Sequence, residues 1–163
     1  MHVMRRFVSS GLVVFASALA VVSAPAAYAA APTPASGSFA ATISPVGTRS
    51  ADGNTVISFT FVETVQGTLT GTRVGSGLLL IHPDGTINAR VNGQFTGSIG
   101  AASGSAIFNE SASGTFSAFA SNFVVGHGAG GLAGVHVEGT GAGAATGPAT
   151  FAGTYSGQVT FSG

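Results

Sequence analysis

Two carboxylates and one guanidinium are the side chains of this sequence best suited to chemistry. In the alternating run 55–70, Glu63 follows Phe61 on the face that carries the large apolar side chains, which a half-buried strand turns inward. Glu110 and Arg73 share parity with apolar residues of their own runs. Charged groups that project into an apolar interior can anchor a ligand or act as a general acid/base pair. Charges at strand ends, or a structural ion pair, would give the same pattern, so both interpretations stay open.

The same alternation indicates which aromatic side chains accompany these charges. Phe61 lies beside Glu63 on its face, and Tyr155 alternates with polar residues in the run 150–161. The predicted ligand-binding residues are therefore Glu63, Arg73, Phe61 and Tyr155. If the protein is an enzyme, the predicted catalytic carboxylates are Glu63 and Glu110.

The sequence lacks the residue patterns that other common chemistries require. His82, His127 and His136 are too scattered along the sequence to predict a metal site. The segment 126–131 matches the glycine spacing of dinucleotide-binding loops, but a strand-like segment follows it where the phosphates need a helix N-terminus. Gly-x-Ser-x-Gly is absent, so no serine nucleophile is indicated. We therefore predict neither a metal nor a cofactor.

The composition limits the partners. Cysteine is absent and charged residues make up 6% of the chain, so disulfides and thiolate chemistry are excluded. Without residues 1–29, the chain keeps five acids, three arginines and no lysine, a net charge of −2. A weakly acidic domain offers no basic surface to nucleic acid or anionic membranes.

The first residues are typical of an export signal. Arg5-Arg6 precedes the apolar run 7–22, and Ala27-Tyr28-Ala29 fits the small-x-small cleavage rule. We therefore predict a cleaved signal peptide over 1–29, a flexible tether over 30–36 and a single domain over 37–163. The product is expected to be secreted through the general pathway, with the twin-arginine route as the alternative, and to keep no membrane anchor.

The rest of the chain alternates with a period of two and shows no helical period. This pattern predicts about eight short antiparallel strands, hence an all-β barrel, with a two-sheet sandwich as the alternative. Residues 45–54 and 141–149 are expected to be turns, and Gly67 a bend within a continuing strand. The predicted strands are 38–44, 55–70, 72–81, 86–99, 104–113, 115–125, 135–140 and 150–161.

The sequence also predicts the conformation or the burial of single residues. Gly134 lies where the chain leaves a glycine-rich loop and enters a strand, so it should lack room for a Cβ or adopt a positive φ. Gly143, in contrast, is expected in a permissive turn. The aromatic residues expected to be mostly buried are Phe59, Phe61, Phe95, Phe116, Phe151 and Tyr155.

Several glycine-containing segments resemble a known family. They are Thr96-Gly97-Ser98-Ile99-Gly100, Gly104-Ser105, Ser113-Gly114-Thr115-Phe116, the segment 128–135 and Glu138-Gly139. Together they resemble an uncharacterised bacterial family with allene-oxide-cyclase-like barrels, to which plant dirigent proteins are also similar. The resemblance covers residues 55–161 and is strongest over 96–141.

The resemblance implies an eight-stranded antiparallel barrel with a lined interior, frequent homo-oligomers and no established activity. Members of the family often carry a histidine shortly before the Gly-Thr-Phe corner, whereas this chain has Glu110-Ser111-Ala112-Ser113 there. Three functions stay open: a module that binds a small apolar ligand, an isomerase, cyclase or lyase that uses a barrel carboxylate, and a structural protein with a filled interior. An eight-stranded barrel is compatible with each of them.

Overall fold

The computed structural model describes residues 31–162, which form one closed antiparallel sheet. Each strand pairs with the next along the chain, and the first pairs with the last, so the sheet has no free edge. The all-β barrel prediction is confirmed, and the sandwich alternative is wrong. The strands are β1 (Thr33–Ala51), β2 (Asn54–Gly67), β3 (Leu69–Ile81), β4 (Ile87–Ile99), β5 (Ala102–Thr115), β6 (Ala118–Gly130), β7 (Val135–Gly147) and β8 (Thr150–Phe161).

The strands extend further than the sequence predicts. β1 begins at Thr33, so residues 33–36 belong to the sheet and pair with β8 rather than forming a tether. β1 also continues through the predicted turn 45–54, with a register shift at Pro45/Gly47. Only Asp52 and Gly53 turn the chain, with φ angles of 51° and 78°, as a type I′ hairpin turn requires. The predicted signal peptide lies outside the described residues.

Two further predictions about where the chain turns are wrong. Gly67, with φ of 110°, is no bend within a strand but the end of β2, and the chain reverses at Thr68 into β3. The segment 141–147, predicted as part of a turn, continues β7 and pairs with β8. The pattern therefore predicts a continuing strand where the chain turns at 67–68, and a turn where the strand continues at 141–147.

Aromatic rings and glycines face each other across neighbouring strands inside the barrel. Because the interior of an eight-stranded barrel is narrow, a large ring on one strand requires a small residue opposite it. Gly143 belongs to this set: a Cβ there would lie 2.8 Å from the Phe119 ring, so the expected permissive turn is wrong. The pairs are Phe39/Gly153, Phe59/Gly77, Phe61/Gly75, Phe108/Gly93, Phe119/Gly143 and Phe123/Gly139.

The two ends of the barrel differ. We call the end with Thr68 and the turns 100–101 and 131–134 the closed end, and the end with the turns 52–53, 82–86, 116–117 and 148–149 the open end. Leu132, with no exposed surface, plugs the closed end from its loop. The buried residues below it fill that half of the interior; they include Val65, Leu69, Phe95, Ile99, Val125, Val137 and Val159.

Most of the expected aromatic core is present. Phe59, Phe61, Phe95 and Tyr155 are buried, and Phe151 is half-buried. Phe116 is 37% exposed, contrary to expectation. It lies in the turn between β5 and β6, where the alternation of a strand no longer directs its side chain inward. Within residues 31–162, no helix has the length and apolar character needed to cross a membrane.

Candidate functional site

The β2–β3 hairpin places a glutamate directly beside an arginine inside the barrel. Because the chain reverses at Thr68, Glu63 on β2 lies opposite Arg73 on β3. The Arg73 Nη2 group donates a hydrogen bond to Glu63 Oε1. Both residues are buried, with 7% and 4% of their surface exposed. Two predicted site residues are thus brought together as a buried ion pair.

Glu110 approaches this ion pair from a strand that is not adjacent to β3. It lies on β5, which β4 separates from β3. Its Oε2 atom is 3.5 Å from Arg73 Nη1, and its side chain is 14% exposed. The three charged residues that the alternation places on inner faces therefore meet at one point.

Arg73 is held by aromatic rings as well as by carboxylates. Its guanidinium carbon lies 4.1 Å from the centre of the Phe108 ring and 6.0 Å from that of Phe123, distances at which cation–π attraction operates. Burial lowers the pKa of Arg73 to about 10, while the nearby Glu110 carboxylate acts in the opposite direction. The guanidinium therefore stays charged at neutral pH.

An apolar cavity of about 100 Å³ lies between this charged cluster and the open end. Glu63 and Glu110 both contribute to its lining, at the end nearer the middle of the barrel, whereas Arg73 lies behind them. Apolar side chains supply the rest of the wall; they are Phe39, Ala41, Ile43, Phe59, Phe61, Leu79, Ile87, Ala89, Val91, Ala112, Phe119 and Phe151. The arrangement is an apolar pocket with carboxylates at its base.

A row of phenylalanines leads from the cavity to the surface. The ring centres of Phe39 and Phe119 are 6.4 Å apart, those of Phe119 and Phe151 6.1 Å, and those of Phe151 and Phe116 6.4 Å. Phe116 lies in a turn of the open end, where it is partly exposed. Phe116 is exposed rather than buried as predicted. Its ring therefore continues the apolar surface from the cavity to solvent.

Tyr155 has a different place from the other predicted site residues. Its hydroxyl accepts a hydrogen bond of 2.8 Å from the Leu69 amide and donates to the Gln66 carbonyl at 3.2 Å. Burial raises the pKa of Tyr155, against the opposing effects of the Leu69 amide and of Arg73. The residue does not line the cavity; it ties β8 to the β2–β3 turn at the closed end.

Ser121 is a polar residue that sequence reasoning missed. It is 2% exposed, and its hydroxyl has no hydrogen-bond partner among residues 31–162. It shares the inner face of β6 with Phe119 and Phe123. The alternation along this strand therefore indicates that Ser121 faces the interior. A single serine in a chain rich in serine gives no further indication.

The three histidines within residues 31–162 lie on the outside of the barrel or at turns. His82 contacts Asn54 through Nδ1 at 2.8 Å and Asn88 through Nε2 at 2.9 Å, which fastens the turn 82–86. His127 and His136 are exposed, and His136 Nε2 lies 3.9 Å from Glu138. Over the described part of the chain, no three His, Asp or Glu side chains are grouped so that they could hold a metal ion.

Comparison with known proteins gives the fold and little else. No family model matches the chain, and no curated protein matches it. Among solved structures, it is similar to a protein of unknown function from the DUF3224 family of Shewanella oneidensis MR-1. That similarity has a TM-score of 0.66 and 17% sequence identity, and it covers 82% of this chain and 99% of the other. The barrel thus has the fold of a protein from an uncharacterised family.

Proposed function

We propose that the protein is an exported binding module that holds a small ligand with an apolar body in the open half of its barrel. The cavity between Glu63 and the open end carries this proposal. Ligand sites are typically apolar recesses with a few convergent polar groups, and this recess combines aromatic walls with two carboxylates at its base. The allene-oxide-cyclase-like resemblance of the glycine segments fits the same proposal, since it implies a barrel with a lined interior.

The volume limits what the site can take. An apolar cavity of about 150 Å³ accepts benzene, so about 100 Å³ holds a group of roughly four or five non-hydrogen atoms. A larger ligand would place only one end inside. Its remainder would lie along Phe151 and Phe116, which continue the apolar surface outward.

Two alanine-to-leucine variants test whether the cavity is the binding site. Ala112 lines the cavity, whereas Ala120 is exposed on the outer face of β6. We expect the purified protein to bind 1-hexanol in isothermal titration calorimetry. Ala112→Leu should abolish this binding because the added isopropyl group occupies the cavity, and Ala120→Leu should leave it unchanged. Absence of hexanol binding to the unmodified protein, or equal binding by both variants, would contradict the proposal.

The export part of the proposal has its own measurement. Cleavage after Ala29 should give a secreted protein whose first residue is Ala30, because Ala27-Tyr28-Ala29 is the small-x-small site that follows the apolar run. N-terminal sequencing of the protein recovered from the culture medium checks this. A product that retains Met1 and sediments with membranes would contradict it.

Catalysis is the alternative, and one observation favours Glu110 for it. Glu63 is engaged by a hydrogen bond from Arg73, whereas Glu110 reaches the cavity without one. An isomerase, cyclase or lyase of this type would therefore use Glu110 as its acid/base group. Mass spectrometry of bound ligand before and after incubation distinguishes the two functions. Conversion that Glu110→Gln removes would support the enzyme, and recovery of unchanged ligand would exclude it for that compound.

A further inference from the structure

We propose that the site recognises a protonated amine, so that its ligand is an amphipathic amine with an ammonium head group and an apolar body. This inference rests on the proposed function and specifies the ligand class. The ammonium group would lie between Glu63 and Glu110 at the base of the cavity. The apolar body would lie against the phenylalanines that lead to the open end.

The charges inside the barrel do not balance. Of the charged residues in 31–162, Glu63, Glu110 and Arg73 face the interior, while the other two arginines, Arg49 and Arg90, are exposed. With all three interior groups ionised, one negative charge is in excess. A buried charge is costly unless it is paired and hydrogen-bonded, so the site favours a ligand that brings one positive charge.

The groups of the cluster that reach the cavity are carboxylate acceptors. Arg73 Nε also has no hydrogen-bond partner among residues 31–162, but it is buried, and Arg73 does not line the cavity. Glu63 is more than nine-tenths buried, lines the cavity and accepts a hydrogen bond only at Oε1. Its Oε2 atom accepts none from the described residues. Glu110 lies 3.5 Å from Arg73 Nη1 and likewise accepts no hydrogen bond from them. An ammonium group carries three N–H donors and no acceptor, which complements two carboxylates.

An anionic head group does not suit the carboxylates at the bottom of the cavity. Arg73 is behind the carboxylates rather than in the cavity wall, so an incoming anion would meet Glu63 and Glu110 before it met the guanidinium. Like charges at such separations repel strongly where water is excluded. A neutral hydroxyl could donate one hydrogen bond but would leave the excess negative charge unpaired.

A matched series of ligands tests the inference. 1-Hexylamine (protonated at neutral pH), 1-hexanol and hexanoate share one chain and differ in the charge of the head group. Hydrogen bonds to charged donors are stronger than neutral ones, so hexylammonium should bind about tenfold more tightly than hexanol, and hexanoate most weakly. Isothermal titration calorimetry at fixed low ionic strength gives the three dissociation constants.

Two glutamine variants assign the selectivity to the site. Glu110→Gln should remove the preference for hexylammonium, so that hexylammonium and hexanol bind this variant with similar affinities. Glu138→Gln is the matched control, because Glu138 is exposed on the outer face of β7, and it should leave both affinities unchanged. Should Glu110→Gln fail to fold in circular dichroism, the ratio of the two affinities in the unmodified protein decides the matter.

The possible failures are distinguishable. If hexanol binds as tightly as hexylammonium, the amine inference is wrong while the proposed function stands. If hexanoate binds most tightly, the inference is also wrong, and Arg73 is the group that takes the ligand. If none of the three compounds binds, the proposed function fails and the inference fails with it.

Discussion

Arg73 is the one arginine within residues 31–162 that faces the interior of the barrel. Its guanidinium pairs with Glu63, approaches Glu110 and packs over the Phe108 ring. A buried ion pair adds little net stability, because desolvation of the charges offsets their attraction. Removal of one partner is a different matter, since it leaves the remaining charge buried and unpaired. In this protein the loss of Arg73 would leave two such carboxylates.

The first prediction follows from that asymmetry. Arg73→Met should lower the free energy of unfolding by about 3–5 kcal/mol, because it leaves Glu63 and Glu110 without their cation. Arg90→Met is the control: Arg90 is exposed on β4, and a surface change of this kind costs within about 0.5 kcal/mol. Urea unfolding at neutral pH measures both. Equal midpoints for the two variants would mean that the carboxylates can lose their charge or reach water at little cost.

For the strands, the alternation predicts which charged side chains face the interior but not which of them lie close together. Parity correctly assigned Glu63, Arg73 and Glu110 to inner faces, since the side chains of a strand alternate between its two sides. It did not predict that they meet. Because the pattern places Gly67 at a bend within a continuing strand, it does not predict the β2–β3 hairpin or the register that pairs Glu63 with Arg73. A turn centred on Thr68 would have been enough to derive that pair.

The approach of Glu110 and the exposure of Phe116 are harder to predict. Glu110 reaches Arg73 across an intervening strand, and this requires the curvature of the closed barrel, which no local pattern encodes. Phe116 lies one residue beyond the end of β5, and one residue decides whether a side chain faces the core or solvent. The barrel itself is predictable because apolar and polar residues alternate with a period of two over about eight short runs separated by turns.

The second prediction concerns the loop before β7. Gly134 has a φ of 73°, and a methyl group there would overlap the backbone oxygen of Ser162. Gly134→Ala should therefore lower the free energy of unfolding by about 1–3 kcal/mol. Gly47 is the better control than Gly143, because a Cβ at Gly47 meets nothing within 4 Å. Thermal melts of Gly134→Ala and Gly47→Ala give the comparison, and a Gly47 variant that is the less stable one would contradict it.

The two ends of the molecule differ in how far side chains fill them. The closed end is filled by side chains around Leu132, and Tyr155 fastens β8 to the β2–β3 turn there. The open end keeps an apolar cavity above the charged cluster. Glu63 and Arg73 lie at the boundary between these halves. A barrel built in this way can leave space for a ligand because its packed half supplies a hydrophobic core.

The last prediction tests this division with one change at each end. Leu132→Ala removes a fully buried side chain from the closed end and should cost about 2–5 kcal/mol of unfolding free energy. Because the cavity is built from other residues, the folded variant should still bind 1-hexanol with unchanged affinity. Ala112→Leu should do the opposite: it fills the cavity, abolishes hexanol binding and changes stability by less than about 1.5 kcal/mol. Urea melts and calorimetry on both variants give the four values. If Leu132→Ala weakens hexanol binding as much as Ala112→Leu does while circular dichroism shows a folded protein, the two ends form one coupled core, and the cavity depends on packing throughout the barrel.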